Sequence, residues 1–501
     1  MRGCDSRTPL GKRKPINCLY LATAGRVGVL DGPPVGARFS YDRGLLTPEA
    51  QIMTDAIDPL FPAHLQHVQA LADRALEREG YDGLVVYSGR PGLHFLDDHG
   101  PAFKANPHFL HWAPLQEAPD CFVRYLPGRR PQLVFHQPAD YWHKPPAVPT
   151  AAWTREFDLT VIREPADARG LLDAGNRRLA CIGELPAEFA EWGFSATNPA
   201  GLLSYLHYHR AAKTPYELAC MREASRLGAV GHVAAAAAYR AGASEFEVHQ
   251  AYCSAVGLRE QELPYGNIIA FGEGAAILHY TTLGRRRDVP RPTFLIDAGA
   301  QFRGYASDIT RTHIADAAGT DPTFLELMAA MEKLQLELCA AVRPGFDYRQ
   351  IHLLAHRLIA GALVQAGVVT GCTAEQAAEN GVSSVFFPHG IGHLLGIQVH
   401  DVAGLAADDS GRTEIPRPTG HRYLRLTRRL EPGMVVTIEP GLYFIDLLLD
   451  EAQQNGLGRY IAWDVVRRLQ PYGGIRIEDD VACSASGTPE NLTRDAFARV
   501  A

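Results

Sequence analysis

Thr293-Phe294-Leu295-Ile296-Asp297-Ala298-Gly299-Ala300 is an apolar, strand-like run that delivers one carboxylate, and Gly304-Tyr305-Ala306-Ser307-Asp308-Ile309-Thr310-Arg311-Thr312 returns a second. A turn centred on Phe302-Arg303 would make a hairpin of the two runs, with Asp297 and Asp308 facing one another at about 5 Å between Cβ atoms. Such a pair is a bidentate clamp. A lone Asp is more often a turn residue or a surface ion pair, so the weight rests on what joins it. His389-Gly390-Ile391-Gly392-His393-Leu394-Leu395-Gly396-Ile397-Gln398-Val399-His400-Asp401 carries three histidines. Glu439 closes the run Val435-Val436-Thr437-Ile438, and Glu478 closes Gly473-Gly474-Ile475-Arg476-Ile477. A solvated Glu is not expected after such runs.

Asp297, Asp308, His393, Glu439 and Glu478 therefore read as the ligands of a two-metal site. Four carboxylates and an imidazole cannot be gathered in an interior without cations, because each unpaired buried charge costs several kcal/mol or more. The oxygen-rich set favours manganese, with cobalt or zinc as substitutes. His389 and His393 have the i,i+4 spacing of the helical zinc-protease motif, but Gly390 and Gly392 replace the helix formers and its Glu is missing. Those glycines instead permit close backbone approach.

The chain of 501 residues is 46% hydrophobic and 21% charged, too long for one core, which predicts two domains plus extensions. A net charge of −7 excludes a strongly basic nucleic-acid footprint, and Arg285-Arg286-Arg287 reads as a solvated loop. Nine scattered cysteines without a CxxC pair predict reduced thiols and a cytoplasmic protein. No stretch approaches the roughly 18 apolar residues of a membrane span. Residues 1–52, first basic and then rich in Gly and Pro, predict a disordered extension ahead of a fold that begins near Met53. A secretory signal is the alternative, since Ala22-Thr23-Ala24 resembles a cleavage site, against which the apolar run around Leu19-Tyr20-Leu21 is at or below the minimum length and is interrupted by Asn17.

Apolar residues recur at helical spacing from His64 to Glu79, and Gly83-Leu84-Val85-Val86-Tyr87 reads as a buried strand. This α/β texture continues through strands at Gln132–Phe135, Leu159–Ile162 and Leu179–Ile182, with helices between, as far as Leu202–Tyr208. Thr214 as N-cap, Pro215 at the first helical position and Glu217 behind it then start a long Ala-rich helix. The boundary falls there, giving domains 53–211 and 212–501. Ala238, Arg240, Gly242, Val248 and His249 recur 103 residues later as Ala341, Arg343, Gly345, Ile351 and His352. This echo predicts a duplicated helix–helix–sheet unit with a site between its halves.

The order Asp…Asp, then Pro388-His389-Gly390-Ile391-Gly392-His393 with His400-Asp401, then Ile438-Glu439-Pro440-Gly441, then Gly474-Ile475-Arg476-Ile477-Glu478-Asp479 resembles the pita-bread metallopeptidases, most closely the bacterial-type Xaa-Pro dipeptidase (prolidase) family. The likeness covers about residues 54–501 and includes Phe95–His99, Ala139–His143, Glu217–Ala224 and Glu490–Asp495. It implies an α/β two-domain protein, with an N-terminal creatinase-like α/β domain and a C-terminal pita-bread (α+β, pseudo-twofold) catalytic domain. It further implies a homodimer and two Mn²⁺ per subunit, with Asp308 and Glu478 bridging the ions. The implied activity is hydrolysis of Xaa-Pro dipeptides. An Xaa-Pro aminopeptidase on longer peptides, an organophosphorus acid anhydrolase side activity, or a metal-free binding module are the alternatives.

Position by position, the resemblance makes His279 a substrate-side histidine and places His389 and His400 around the scissile amide. Arg425 matches the residue that receives the dipeptide carboxylate, and Arg476 an arginine behind the ligands. Glu439 is the candidate proton shuttle. An Xaa-Pro bond lacks an amide N–H, so recognition must come from the proline ring and the two termini. The loop around Phe95-Leu96-Asp97-Asp98-His99, in a segment that runs on to Phe109 and Trp112, is expected to reach toward the neighbouring subunit's active site.

Overall fold

The computed structural model describes residues 56–500, and the expectations for residues 1–52 lie outside them. Helix α1 (Phe61–Glu79) buries Leu65, Val68, Leu71, Ala72, Ala75 and Leu76 along one face and ends at Gly80, whose φ of 71° is the usual left-handed stop. Strand β1 (Gly83–Tyr87) is buried throughout and lies near the centre of a six-stranded mixed sheet. Its partners are β2 (Phe122–Tyr125), β3 (Gln132–His136), β4 (Asp158–Ile162), β5 (Leu179–Ile182) and β6 (Ala196–Thr197), in the order β4-β3-β2-β1-β5-β6. Strands β1, β3, β4 and β5 fall where the sequence places strands. Strand β2 was not anticipated, and the elements between β3 and β5 are single turns rather than full helices. Strands β1, β2 and β3 form an antiparallel meander, whereas β3 and β4 pair in parallel and are joined by a connection that contains only a short 3-10 turn.

Helix α2 (Pro107–Trp112) lies between β1 and β2 and corrects one expectation. Phe109 and Trp112 are buried in the core, Trp112 against Tyr125 at 5.1 Å between centroids, instead of forming an interface loop. Phe95 and Leu96, by contrast, are 92% and 90% exposed.

Helix α3 (Ala200–Arg210) precedes α4 (Pro215–Arg240), which starts as its sequence dictates. Thr214 Oγ1 accepts from Glu217 N while Glu217 Oε2 accepts from Thr214 N at 2.8 Å, a closed capping box. The two domains share one core: Phe61, Leu65 and Trp112 pack in the same apolar cluster as Tyr216, Met221, Tyr305, Leu395 and Val435. Within it Glu217 lies 3.4 Å from His111 Nε2 and 3.8 Å from His64 Nδ1, and accepts from Tyr305 OH at 3.1 Å.

That buried cluster makes the domain junction acid-sensitive. Burial lowers His64 to about 4, so between pH 6.5 and about 4 the unfolded chain binds a proton that the native state refuses. Burial would raise Glu217, but His111, His64 and Lys213 outweigh it and hold the carboxyl well below its ordinary value. Its stabilisation is complete above about pH 4.5 and is lost as pH falls further. Urea midpoints should therefore fall from pH 7 to pH 5, with His64 contributing up to ~3 kcal/mol over its full range. Other histidines lowered by burial, such as His232 and His313, add to the slope, so His64→Gln should reduce it by the His64 share; an unchanged slope would remove His64 from the account.

In the second domain α4 packs on α5 (Glu245–Val256), followed by β7 (Ile268–Phe271) and β8 (Thr293–Asp297). Strands β9 (Gln301–Phe302) and β10 (Tyr305–Ala306) form the hairpin tip, and β11 (Thr310–Ile314) returns beside β8. The turn is centred on Arg303-Gly304, one residue beyond the expected position, because both residues adopt positive φ (53° and 89°), the geometry that matches strand twist in a two-residue hairpin. The register consequently sets Asp297 opposite Thr310, and Asp308 is a diagonal neighbour instead of a direct partner.

Helices α6 (Pro322–Ala340) and α7 (Tyr348–Gln365) repeat the α4–α5 joint, and Gly242 and Gly345 hold equivalent left-handed turns at φ 88° and 79°. Residues 391–395 then run antiparallel to β12 (Val435–Ile438), through Glu439 N to Ile391 O at 2.9 Å and Thr437 N to His393 O at 3.0 Å. β13 (Gly441–Tyr443) pairs with β14 (Gly474–Arg476), and β12 with β15 (Asp479–Ala482). A bridge between Thr310 and Glu478 stitches the two halves together. Among the described residues no helix is long and apolar enough to cross a membrane, and the seven described cysteines are free.

Candidate active site

The end of β8, the segment before β11, the 389–393 run, the end of β12 and the end of β14 converge on one buried cluster. One donor atom each from Asp308, His393 and Glu478 lies within 4.8 Å of the others. His393 Nε2 stands 3.4 Å from Asp308 Oδ2 and 3.9 Å from Glu439 Oε1. Its Nδ1–H donates to Leu394 O at 3.0 Å, which orients the ring and directs Nε2 toward the carboxylates. Gly392 makes this approach feasible. Its φ is 151°, and a Cβ there would stand 2.1 Å from Thr437 O.

Asp297 is held from behind, accepting from Arg476 Nη2 at 2.8 Å and from Tyr265 OH at 2.9 Å. Thr310 donates to Glu478 Oε2 at 2.7 Å. Arg476 also donates to Tyr443 OH at 3.0 Å, and Tyr443 lies 2.9 Å from His389 Nε2. His389 Nδ1 donates to Gly390 O at 2.8 Å, so both of its nitrogens are engaged in this rotamer. Burial pushes His389 down to about 3, and Arg476 adds to the effect, so the ring is neutral.

The donor set fits cations. Burial pushes Glu439 up to about 7 and Glu478 far above its ordinary value, with Asp308 adding to both, and it raises Asp297 despite Arg476. Burial also pulls His393 down, yet Asp308 and Glu439 outweigh it and lift the ring above its ordinary value. Such mutual frustration is relieved when positive charge enters at the shared face.

His279, His400 and Arg425 are exposed around the cluster. The His400 ring meets that of His393 edge-on at 4.5 Å, and burial, then His393 and Arg425, depress its pKa to about 4, with a smaller contribution from His279. Several neighbours went unassigned in the sequence. Asp480, fully buried, accepts from Asp308 N at 3.2 Å and from Ser225 Oγ at 3.3 Å; Asp479 accepts from Arg311 and Arg494, each at 2.7 Å. The consecutive acids after a buried strand were the available signal. Asp401, next to His400, pairs with Arg210 at 2.7 Å and Lys213 at 2.9 Å, and only their distant positions in the chain hid this.

Residues 219–485 match the model of metallopeptidase family M24, and residues 59–208 match that of the Xaa-Pro dipeptidase N-terminal domain. The chain is 52% identical over 439 residues to an Xaa-Pro dipeptidase of Stenotrophomonas maltophilia strain K279a, covering 88% of this chain and 97% of the relative. The chain belongs to the Xaa-Pro dipeptidase family of M24 metallopeptidases. An Xaa-Pro dipeptidase of Xanthomonas campestris pv. campestris strain B100 is also 52% identical, over 88% of this chain and 99% of its own. The two-domain pita-bread fold recurs in solved structures at 22% identity. These include zinc-substituted Escherichia coli aminopeptidase P in complex with product (TM-score 0.65, 88% of this chain and 95% of that one) and Yersinia pestis proline aminopeptidase P II (TM-score 0.64, 88% and 98%). This Xaa-Pro dipeptidase family member is thus a metallopeptidase with its acidic cluster between the two halves of the catalytic domain.

Proposed function

We propose that the chain hydrolyses Xaa-Pro dipeptides at a dinuclear centre held by Asp297, Asp308, His393, Glu439 and Glu478, with two Mn²⁺ per subunit. The observation that carries this reading is the buried convergence of Asp308, His393 and Glu478 in a chain 52% identical to Xaa-Pro dipeptidases over 88% of its length. Cations at these residues would polarise the scissile carbonyl and lower the pKa of water.

Glu439 lies between two imidazoles, with Oε1 3.9 Å from His393 Nε2 and Oε2 3.6 Å from His389 Nδ1. From there it takes a proton from the attacking water and returns it to the departing proline nitrogen. His400, on the open side, donates to the oxygen that gains charge, and His279 borders the same space. His389 joins them only if its ring leaves Gly390 O or Tyr443. Arg425 receives the dipeptide carboxylate.

Proline release from Leu-Pro by apo-enzyme reconstituted with Mn²⁺, compared with Ala-Pro-Ala, tests the reading. Turnover of the dipeptide alone is expected. Equal turnover of the tripeptide would make the protein an aminopeptidase, and no turnover of either would end the proposal. Parallel loading with Co²⁺ and Zn²⁺ tests the choice of manganese. Arg425→Ala should raise KM for Leu-Pro about 10- to 100-fold, since charged hydrogen bonds contribute ~1.5–3 kcal/mol, and should spare Leu-prolinamide. Equal losses on both substrates would assign Arg425 to structure.

The proposal includes a homodimer formed through the N-terminal domain, where Phe95, Leu96, Tyr141 and Trp142 are exposed. Light scattering should give a dimeric mass. A fully active monomer at assay concentration would rule it out.

A further inference from the structure

A second donor cluster stands apart from the acidic one. His352 and His356, one turn apart on α7, meet His421 from the 416–425 loop, and one nitrogen from each lies within 4.8 Å of the others. The three rings are 4.5 to 4.7 Å apart between centroids, and His352 Nε2 lies 2.9 Å from His421 Nδ1. His356 Nδ1 pairs with Ser383 Oγ at 2.9 Å, which leaves Nε2 as its ligand atom; that Nε2 is buried without a partner, on a side chain 3% exposed. We propose that this trio is a zinc site, with a solvent molecule as the fourth ligand, and that the bound Zn²⁺ ties the 416–425 loop to α7.

The chemistry of the trio supports this assignment. Three imidazoles suit Zn²⁺, and a three-histidine set with one open position is a standard zinc arrangement. Burial, then the neighbouring rings, lowers His352 to about 2 and His356 to about 3, so both are already neutral ligands at pH 7. Ser383 fixes the His356 ring as an outer hydrogen-bond partner does at metal sites. His421 is half-buried and gives the ion a path from solvent. Among the described residues, the further buried cluster outside the acidic site, His64, His111 and Glu217, differs in this respect. There Thr214 and the His111 carbonyl already occupy both nitrogens of His64.

The loop consequence follows from connectivity. Arg349 of α7 donates to Pro416 O at 3.4 Å and Arg417 to Leu424 O at 2.7 Å, while His421 N donates to Pro418 O at 3.0 Å and Leu424 N to His421 O at 3.3 Å, so the middle is a local turn carrying exposed Arg422 and Tyr423. Zinc on His421 would tie that turn to α7.

Zn²⁺ equivalents should be counted at buffered free zinc on Mn²⁺-loaded full-length protein, His421→Ala, Asp308→Asn and their double variant. The unaltered protein should bind one equivalent more than His421→Ala, whose exchange on a half-exposed loop spares the core, and Asp308→Asn should likewise bind one more than the Asp308→Asn, His421→Ala double variant. Zinc should also slow trypsin cleavage after Arg422, read by mass spectrometry, in the unaltered protein and not in His421→Ala. Equal stoichiometry with and without His421 would overturn the site. A lost equivalent with no change in cleavage would overturn the tether.

Discussion

Asp308→Asn is expected to lose at least one cation and nearly all turnover of Leu-Pro, a fall of about 10³-fold or more, equivalent to ~4 kcal/mol. Asp308 Oδ2 lies 3.4 Å from His393 Nε2, and its charge acts on Asp297, Glu439 and Glu478 together. A neutral amide keeps the shape and removes the shared charge. The same reasoning separates this effect from misfolding. In the metal-free protein the four carboxylates repel one another, so the apo-variant should unfold at the same temperature as the apo-parent or higher. Metal content by atomic emission, Leu-Pro kinetics and apo-state melting would together decide. Full metal content with normal turnover would remove Asp308 from the site.

The second large effect lies one residue from His400. Asp401, Arg210 and Lys213 form a triad in which each side chain is at most 2% exposed. Burial would raise Asp401, but Arg210 and Lys213 outweigh it and hold the carboxyl far below its ordinary value. Asp401→Asn would leave two cations in the interior without their anion, at a cost of about 3–5 kcal/mol. Urea unfolding at pH 7 would measure it, and Lys213→Met in the same background should restore part of the loss. A cost below ~1 kcal/mol would mean that water reaches the triad. Because Asp401 N also bonds Leu394 O at 2.9 Å, the triad fixes both His400 and the segment after His393.

Much of the candidate site was legible because carboxylates at the ends of apolar runs are conspicuous. Asp297, Asp308, Glu439 and Glu478 each violate the pattern around them, and an interior tolerates such a violation only when charge is compensated. Gly392 was readable as a close-approach residue, and a Cβ there would indeed meet Thr437 O. Strand β2 escaped because Phe122-Val123-Arg124-Tyr125 is short, and β1 and β3 had to be in place to show it as the middle of a meander. Phe109 and Trp112 were misread because loop-like sequence before them hid a six-residue helix that packs inward.

By itself the sequence determined the local decisions: where α4 begins, through Thr214, Pro215 and Glu217; where the two helix joints turn, at Gly242 and Gly345; and which side chains are too polar for their surroundings. These depend on backbone propensity and periodicity over a few residues. Only the tertiary structure decided the register that sets Asp297 opposite Thr310, the pairing of Arg476 with Asp297, the anchoring of Asp401 by Arg210 and Lys213, and the meeting of His352 and His356 with His421. Each joins residues separated along the chain. Turn geometry fixes the first of these contacts, and the packing of strands, helices and loops fixes the others.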